Sequence, residues 1–312
     1  MNQSRVALAA IAVVIPLAML ATVYTDRPTQ QDSGGQDRVI VVASFYPLYE
    51  FAAHVGGDRA EVSSLVPAGI EPHDWEPTSR DASRVRDADM LIINGAGFES
   101  WAGDMEAKLI VDTSEGIELE HEEEHSDEED EHGHEGGVNP HIWLDPILAK
   151  HQVEKIRGAM AAADPDNADY YNENAGAFMA ELDSLDAFIQ LELVGCEKSD
   201  FIAFHDAFAH FAERYGLEQH SIHGVSPEGE ILPQRLQEVI ELAGDLELDV
   251  IYAEDLIDSR LADTIAGEIP GGRVLVLSPI EGIDREEQDA GIGYIDKMRE
   301  NVVNLKEGLG CR

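Results

Sequence analysis

The sequence predicts an α/β fold of two lobes, each built on a central sheet, joined by one long backbone helix, with a ligand site in the cleft between the lobes. From residue 39 onward, short and nearly continuous β-branched apolar runs alternate with stretches of helical periodicity. That is the pattern of strands buried on both faces of a parallel sheet and covered by helices. One much longer helical stretch interrupts the alternation near the middle. The length of 312 residues allows one large or two medium domains at about 100–200 residues each. Ligands of open α/β sheets bind beyond the carboxyl ends of the strands, which in a bilobed chain is the cleft.

In chain order, residues 1–24 read as a signal peptide or signal anchor. Residues 6–24 are almost entirely apolar, with Arg5 before them and Asp26 and Arg27 after. As a helix this segment would reach about 28 Å, close to the hydrocarbon thickness of a bilayer and long for a signal-peptide core. No clear small-residue cleavage site follows, and no cysteine lies nearby for a lipoprotein anchor. Residues 25–37, rich in Pro, Gly, Gln and Ser, read as a flexible linker. The expectation is an exported chain, extracytoplasmic, either tethered to the membrane by its N-terminus or secreted.

The N-terminal lobe is assigned to 38–164, with strand candidates at 39–45, 61–66, 90–94 and 108–111. A linking helix is assigned to 165–195. Asp164 offers a cap, Pro165 suits a first turn, and Phe178, Leu182, Leu185 and Ile189 recur at helical spacing up to Gly195. The C-terminal lobe is assigned to 196–312, with strand candidates at 200–204, 249–252 and 273–277 and helical periodicity in Phe208, Phe211, Ala212 and Tyr215.

Charge narrows the partners. Sixty-three acidic residues against twenty-one basic ones leave −42, while 44% hydrophobic residues exclude a disordered polyacid. Phosphate repels such a chain, so nucleic acid and anionic membrane faces are excluded. Cationic partners, metal ions among them, are favoured, although an acidic, Lys-poor surface equally suits a salty medium. Residues 118–135 concentrate eleven acids and four histidines, His121, His125, His132 and His134, with Gly136 and Gly137 after them. No core forms from this composition. The segment, bounded as a loop at 118–137, reads as an inserted auxiliary collector of exchangeable cations, against the plainer reading of a solvated acidic loop. Cys196 and Cys311 are too far apart for a CxxC site. In an exported chain they form either one disulfide or two buried thiols.

Three histidines share a local grammar. His73 lies in GIEPHDWEPT, His141 in NPHIWLDP and His205 in FIAFHDAFAHF, each at a strand exit or loop with acidic neighbours. Only the fold can assemble them. Imidazole suits Zn(II), with carboxylate a common fourth donor, although each histidine equally fits a packing or hydrogen-bonding role. His54, His151, His210, His220 and His223 read as structural.

With these blocks the chain resembles the zinc-type cluster A-I solute-binding proteins, the high-affinity zinc-uptake substrate-binding subunits of ABC-type metal importers. SFYPLYEFAAHVGGD, LVPAGIEPHDWEPTSRD, NPHIWLDP, FHDAFAHFAERYGL and LSPIEGI stand in the family's order from Val39 to the C-terminus, and the His-rich acidic loop is characteristic of zinc-type members. The resemblance implies two α/β lobes joined by one long helix, with the metal site in the interlobe cleft and His73, His141 and His205 as ligands. His at the third position marks the zinc type, since manganese-type members tend to carry a carboxylate there. For the fourth ligand, Ser278 stands where manganese-type members carry Asp. Glu281, the position some zinc-type members use, is the expected donor, with water and then Glu71 behind it. Glu254 reads either as a group orienting a ligand or as a helix cap. The resemblance also implies a Cys196–Cys311 disulfide.

The implied function is capture of Zn(II) outside the cytoplasm and delivery to an ABC permease whose ATPase is a separate chain, no P-loop being present here. The chain is expected to act as a monomer without enzymatic activity. Zinc binding is expected to weaken below about pH 6.5, where imidazoles protonate. A manganese or broader divalent-metal importer subunit is the alternative. A zinc-binding adhesin or buffer and a zinc hydrolase stand further off: no HExxH occurs, and a coordinated Glu281 leaves no position for a reactive water.

Overall fold

Two parallel four-stranded sheets organise the chain, which a computed structural model describes over residues 38–119, 138–227 and 231–312. The first sheet holds β1 (Val39–Ala43), β2 (Ala60–Ser64), β3 (Met90–Ile93) and β4 (Ile110–Asp112) in the order β2-β1-β3-β4. The second holds β5 (Asp200–Ala203), β6 (Glu218–Ser221), β7 (Val250–Ala253) and β8 (Arg273–Val276) in the order β6-β5-β7-β8. The same winding thus occurs twice. Val41 pairs with Val62 on one side and Met90 on the other, and Ile202 pairs with His220 and Ile251. MLII of β3 and VIYA of β7 are buried throughout. This accounts for continuous apolar runs where a one-sided sheet would alternate.

Helices cover both sheets. In the first lobe α1 (Tyr46–Gly56) follows β1 and α2 (Ser79–Asp87) precedes β3. Thr78 and Asp81 form a reciprocal capping box at the start of α2. Two long helices follow, α3 (Pro146–Ala163) and α4 (Ala168–Glu192). The second lobe carries α5 (Ala209–Tyr215), α6 (Pro233–Asp245), α7 (Arg260–Glu268), α8 (Arg285–Ala290) and α9 (Tyr294–Leu309).

α4 buries Tyr171, Ala175, Phe178, Leu182, Leu185 and Ile189 in one stripe at three- and four-residue spacing. Phe51 of α1 meets Phe178 of α4 and Tyr294 of α9 with ring centroids 5.7 and 5.0 Å apart. One apolar core consequently runs from Val41 and Phe45 through Phe178 and Leu182 to Phe201, Tyr252 and Leu305 in the second lobe. Hinge opening would expose part of it at about 25 cal/mol per Å², so the fold resists that motion. Trp143 Nε1 donates to Pro279 O (2.7 Å) and Tyr294 OH donates to Trp143 O (2.5 Å), adding polar ties across the same boundary.

Three sequence expectations are refined. The long helix opens at Pro165 behind Asp164, but its first turn, Pro165–Asn167, is 3-10 and α4 proper begins at Ala168. The Asp164 carboxylate is engaged by Asn167 Nδ2 (2.7 Å) and Tyr171 OH (2.9 Å), while the Asp164 N–H closes α3 on Met160 O. The 25-residue α4 measures about 38 Å, and Gly195 lies beyond it with a positive φ of 69°. The eighth strand, β6, went unread because EQHS is a polar, partly exposed edge strand without an apolar run. Strand limits also move by one or two residues, as at β2, Ala60–Ser64 instead of 61–66, and β4, Ile110–Asp112 instead of 108–111.

Cys196 and Cys311 are joined by a disulfide. It ties the segment after α4 to the tail after α9, where Glu197 N and Lys198 N both donate to Leu309 O at 3.1 Å. No helix among the described residues is long and apolar enough to cross a membrane. The apolar segment 6–24 and His121, His125, His132 and His134 lie outside the described residues.

Candidate metal centre

Four widely separated side chains converge where the strands of both sheets end. His73 lies in the irregular segment between β2 and α2, and His141 immediately precedes the 3-10 turn Ile142–Leu144 that leads into α3. His205 follows β5 and Glu281 follows β8. Each lobe supplies two of the four.

Their donor atoms all lie within 4.8 Å of one another. Glu281 Oε1 is 3.1 Å from His73 Nε2, 3.0 Å from His141 Nε2 and 3.3 Å from His205 Nε2. His141 Nε2 is 3.4 Å from His73 Nε2 and 3.1 Å from His205 Nε2. Ligands about 2.0–2.1 Å from a tetrahedral zinc stand about 3.3 Å from each other, so the observed spacings match the edges of such a tetrahedron. His141, His205 and Glu281 are fully buried, and only the His73 side chain, 10% exposed, reaches the surface. Glu281 Oε2 is buried with no hydrogen-bond partner among the described residues. A buried carboxylate oxygen left this way is costly unless a cation compensates it.

The far ring nitrogens of two histidines are held. His205 Nδ1 lies 2.5 Å from Glu254 Oε1, which also accepts from His205 N (3.2 Å). His141 Nδ1 lies 2.8 Å from Asn139 Oδ1, which accepts from His141 N (3.1 Å). Each acceptor fixes the proton on Nδ1 and presents the Nε2 lone pair to the centre. Glu254 is therefore the orienting group and caps no helix, since α7 starts at Arg260. Replacing it, Glu254→Gln, is expected to lower zinc affinity about 10–100-fold with one tight site retained, as read by competition against a chelator.

Electrostatics separate the four groups. Burial, with the neighbouring His205 and His73, takes the His141 imidazole down to about 3 against the pull of Glu281, so it is a neutral donor. Burial disfavours charge on His205, but Glu254 and Glu281 outweigh it and raise the ring well above its usual range. Burial likewise opposes ionisation of Glu281, yet His205, His73 and the hydrogen bonds from His141 and His205 hold it well below the usual carboxylate range. Glu71 is not among the four gathered donors: its Oε1 accepts from His73 N (3.0 Å), and burial followed by the charge of the adjacent Glu281 pushes it up to about 9. Ser278 also stays out of the cluster. Its Oγ accepts from Ile280 N (3.1 Å), and Asn301 brackets its backbone through Oδ1 and Nδ2. These bonds hold Ile280 at φ 56° directly before Glu281. A β-branched residue in that region is strained by about 1–3 kcal/mol.

The remaining described histidines find protein partners away from the centre. His54 stacks on Phe178 with centroids 4.1 Å apart. His151 Nε2 bonds Glu115 O (3.0 Å), His210 Nε2 bonds Asn139 O (2.8 Å), and His220 Nε2 bonds Asp200 Oδ1 (3.0 Å). His223 packs on Phe204 at 4.9 Å.

Sequence reading missed Asn139 and Gln219. Asn139 Nδ2 donates to Asp206 O (2.7 Å), so one amide orients His141 and ties the lobes beside His205. The Asn-Pro pair directly before His141 was the available signal. Gln219 on β6 donates to His205 O (3.0 Å) and accepts from Phe208 N (2.6 Å), pinning the turn that carries His205. With β6 unread, nothing in the sequence pointed to it.

The chain is similar to known proteins over most of its length. The family model described as zinc-uptake complex component A, periplasmic, matches residues 41–308. The high-affinity zinc uptake system protein ZnuA of Bacillus subtilis is 39% identical over 290 residues, covering 89% of each chain. The zinc-binding lipoprotein AdcA of Streptococcus pneumoniae is 34% identical over 276 residues, covering 86% of this chain and 55% of its own length. The chain thus spans about half of that relative. The crystal structure of the Zn(II)-bound ZnuA-like domain of Streptococcus pneumoniae AdcA superposes with a TM-score of 0.75 at 32% identity, covering 87% of this chain and 99% of that one. The laminin-binding protein Lmb of Streptococcus agalactiae, titled a bifunctional protein with adhesin and metal transporting activity, gives a TM-score of 0.78 at 29% identity, with coverages of 87% and 99%. A match over most of the chain, with the metal-ligating residue types gathered at the strand ends of both lobes, shows that the chain belongs to the family of periplasmic zinc-uptake complex A components.

Proposed function

We propose that the chain captures Zn(II) outside the cytoplasm, holds it with His73, His141, His205 and Glu281, and releases it to an ABC-type permease energised by a separate ATPase. The observation that carries this reading is the near-tetrahedral spacing of three imidazole nitrogens and one carboxylate oxygen, 3.0–3.4 Å apart over the measured edges. Nitrogen donors select against Mg(II) and Ca(II), which prefer oxygen. A third His in place of a carboxylate favours zinc over manganese. With Glu281 as a donor the centre is closed and leaves no place for a reactive water, so we assign no catalysis. Membrane attachment through residues 6–24 belongs to the same proposal, as does action as a monomer. Measuring zinc stoichiometry on the full chain in competition with Mn(II) tests the reading. One equivalent of zinc held tightly against excess Mn(II) is expected, and preferential retention of manganese would overturn it.

The acidic loop is auxiliary in this proposal. Deleting residues 118–135 is expected to remove the weak, exchangeable equivalents and leave the tight site within about threefold of its original affinity, since first-layer donors dominate metal affinity over outer groups. Loss of tight binding in the deletion, measured by titration calorimetry, would instead mark the loop as the working part, as a metal buffer requires.

A further inference from the structure

Near His73 and His141, the two site histidines of the first lobe, one buried carboxylate holds a turn without itself reaching the centre. Glu99 lies beneath the turn after β3, 8% exposed. Its Oε1 accepts from Ser44 Oγ (2.6 Å) and Asn94 N (2.8 Å), and its Oε2 accepts from Gly95 N (3.1 Å). These bonds tie the turn to the carboxyl ends of both β1 and β3. The turn they hold is strained, with Gly95, Ala96 and Gly97 all left-handed at φ 82°, 52° and 81°. Ala96 sits where a Cβ is disfavoured, a conformation that persists only when the surroundings impose it.

Two arms lead from this turn to the donors. Asn94 Nδ2 donates to Pro140 O (2.8 Å), the carbonyl directly before His141, while Gln152 Nε2 donates to Asn94 Oδ1 (2.9 Å). Phe98, adjacent to Glu99, presents its ring nearly edge-on to His73 at 4.9 Å and packs on Phe45 (4.8 Å) and Trp143 (5.3 Å). This matters most for His73. Asn139 holds Nδ1 of His141 and Glu254 holds that of His205, whereas Nδ1 of His73 has no such side-chain acceptor among the described residues. Its ring is oriented by packing, and Phe98 supplies the wall.

We propose that Glu99 is a positioning residue for metal capture: by clamping the Asn94–Phe98 turn it holds the Phe98 ring against His73 and the Pro140 carbonyl in front of His141. The assignment rests on the reading that those histidines hold the metal. Glu99→Gln keeps the size of the side chain but offers a single acceptor oxygen, so its amide NH2 faces one of the N–H donors that the carboxylate satisfied and the clamp on the turn is loosened.

The test uses the full zinc-loaded chain, with zinc dissociation followed by chelator stopped flow, affinity by competition, and the histidine rings by nitrogen-15 NMR. Glu99→Gln is expected to weaken binding about tenfold or more through faster dissociation, and to shift the His73 and His141 ring signals while His205 keeps its own. Phe98→Ala leaves the Glu99 bonds in place and is expected to speed dissociation, with the main shift at His73, whose ring it meets at 4.9 Å, a smaller one at His141, 6.4 Å away, and none at His205. It tests the His73 arm if Glu99→Gln misfolds. Affinity and dissociation within about twofold of the parent in the folded variants, or equal shifts of all three rings, would overturn the proposal. Absence of one tight zinc in the parent would overturn the underlying site assignment instead.

Discussion

Replacing His141 by Ala is expected to abolish the tight zinc site. The ring is fully buried, makes contacts of 3.0–3.4 Å with all three other donors, and is locked by Asn139 through both its backbone N–H and Nδ1. Being neutral, it offers its lone pair without first losing a proton. Water entering the space left by Ala would lack the imidazole's fixed orientation. Loss of an outer orienting partner costs about 10–100-fold in metal affinity, and loss of a donor should exceed that range. Chelator competition on the folded variant, with circular dichroism as the control for folding, reads the result. Unchanged one-to-one affinity would sink the assignment of all four donors, because the tetrahedron cannot form without this corner.

Removing the disulfide, as Cys196→Ser with Cys311→Ser, is expected to produce the largest loss of stability from any change outside the metal site. The bridge closes a loop spanning 115 positions, and in the chain-entropy view a loop of that size stabilises by about 4–5 kcal/mol through its effect on the unfolded chain. The urea midpoint of the metal-free protein should fall accordingly, while zinc-saturated protein should regain part of the loss because zinc binds only the folded state. Zinc affinity under native conditions should change little. The bridge lies beyond the ends of α4 and α9, before the start of β5 at Asp200, whereas His205 and Glu281 follow the carboxyl ends of β5 and β8. A midpoint unchanged from the parent would show that the bridge adds no stability. A large loss of zinc affinity in the folded variant would show coupling along the second lobe.

Much of the fold was legible because its physics is local. Strands buried on both faces need continuous apolar runs, and MLII of β3 and VIYA of β7 carry one. The stripe on α4 follows from helical spacing. What failed was local in another sense. EQHS of β6 buries little, so it leaves no apolar signature. Asp164 does stand before the 3-10 first turn of the long helix, but its carboxylate caps no backbone N–H and is bound by Asn167 and Tyr171.

The centre was legible in a different way. Three histidines with acidic neighbours at strand exits are visible in the chain, and family order singles out Glu281 among several acids. The sequence by itself determined the element types, the export-type N-terminus as an expectation, and the chemistry of the donors, because residue type sets both propensity and ligand preference. Tertiary structure alone decided which groups meet. Glu281 rather than Glu71 faces the three imidazoles because the Ser278–Ile280 turn, held by Asn301 and Trp143, aims it there. Glu254 orients His205, Asn139 orients His141, and Glu99 supports the wall beside His73. These pairings join residues that chain position keeps far apart. Donor geometry at a precision of tenths of an ångström comes from packing and buried hydrogen bonds, and neither can be read one residue at a time.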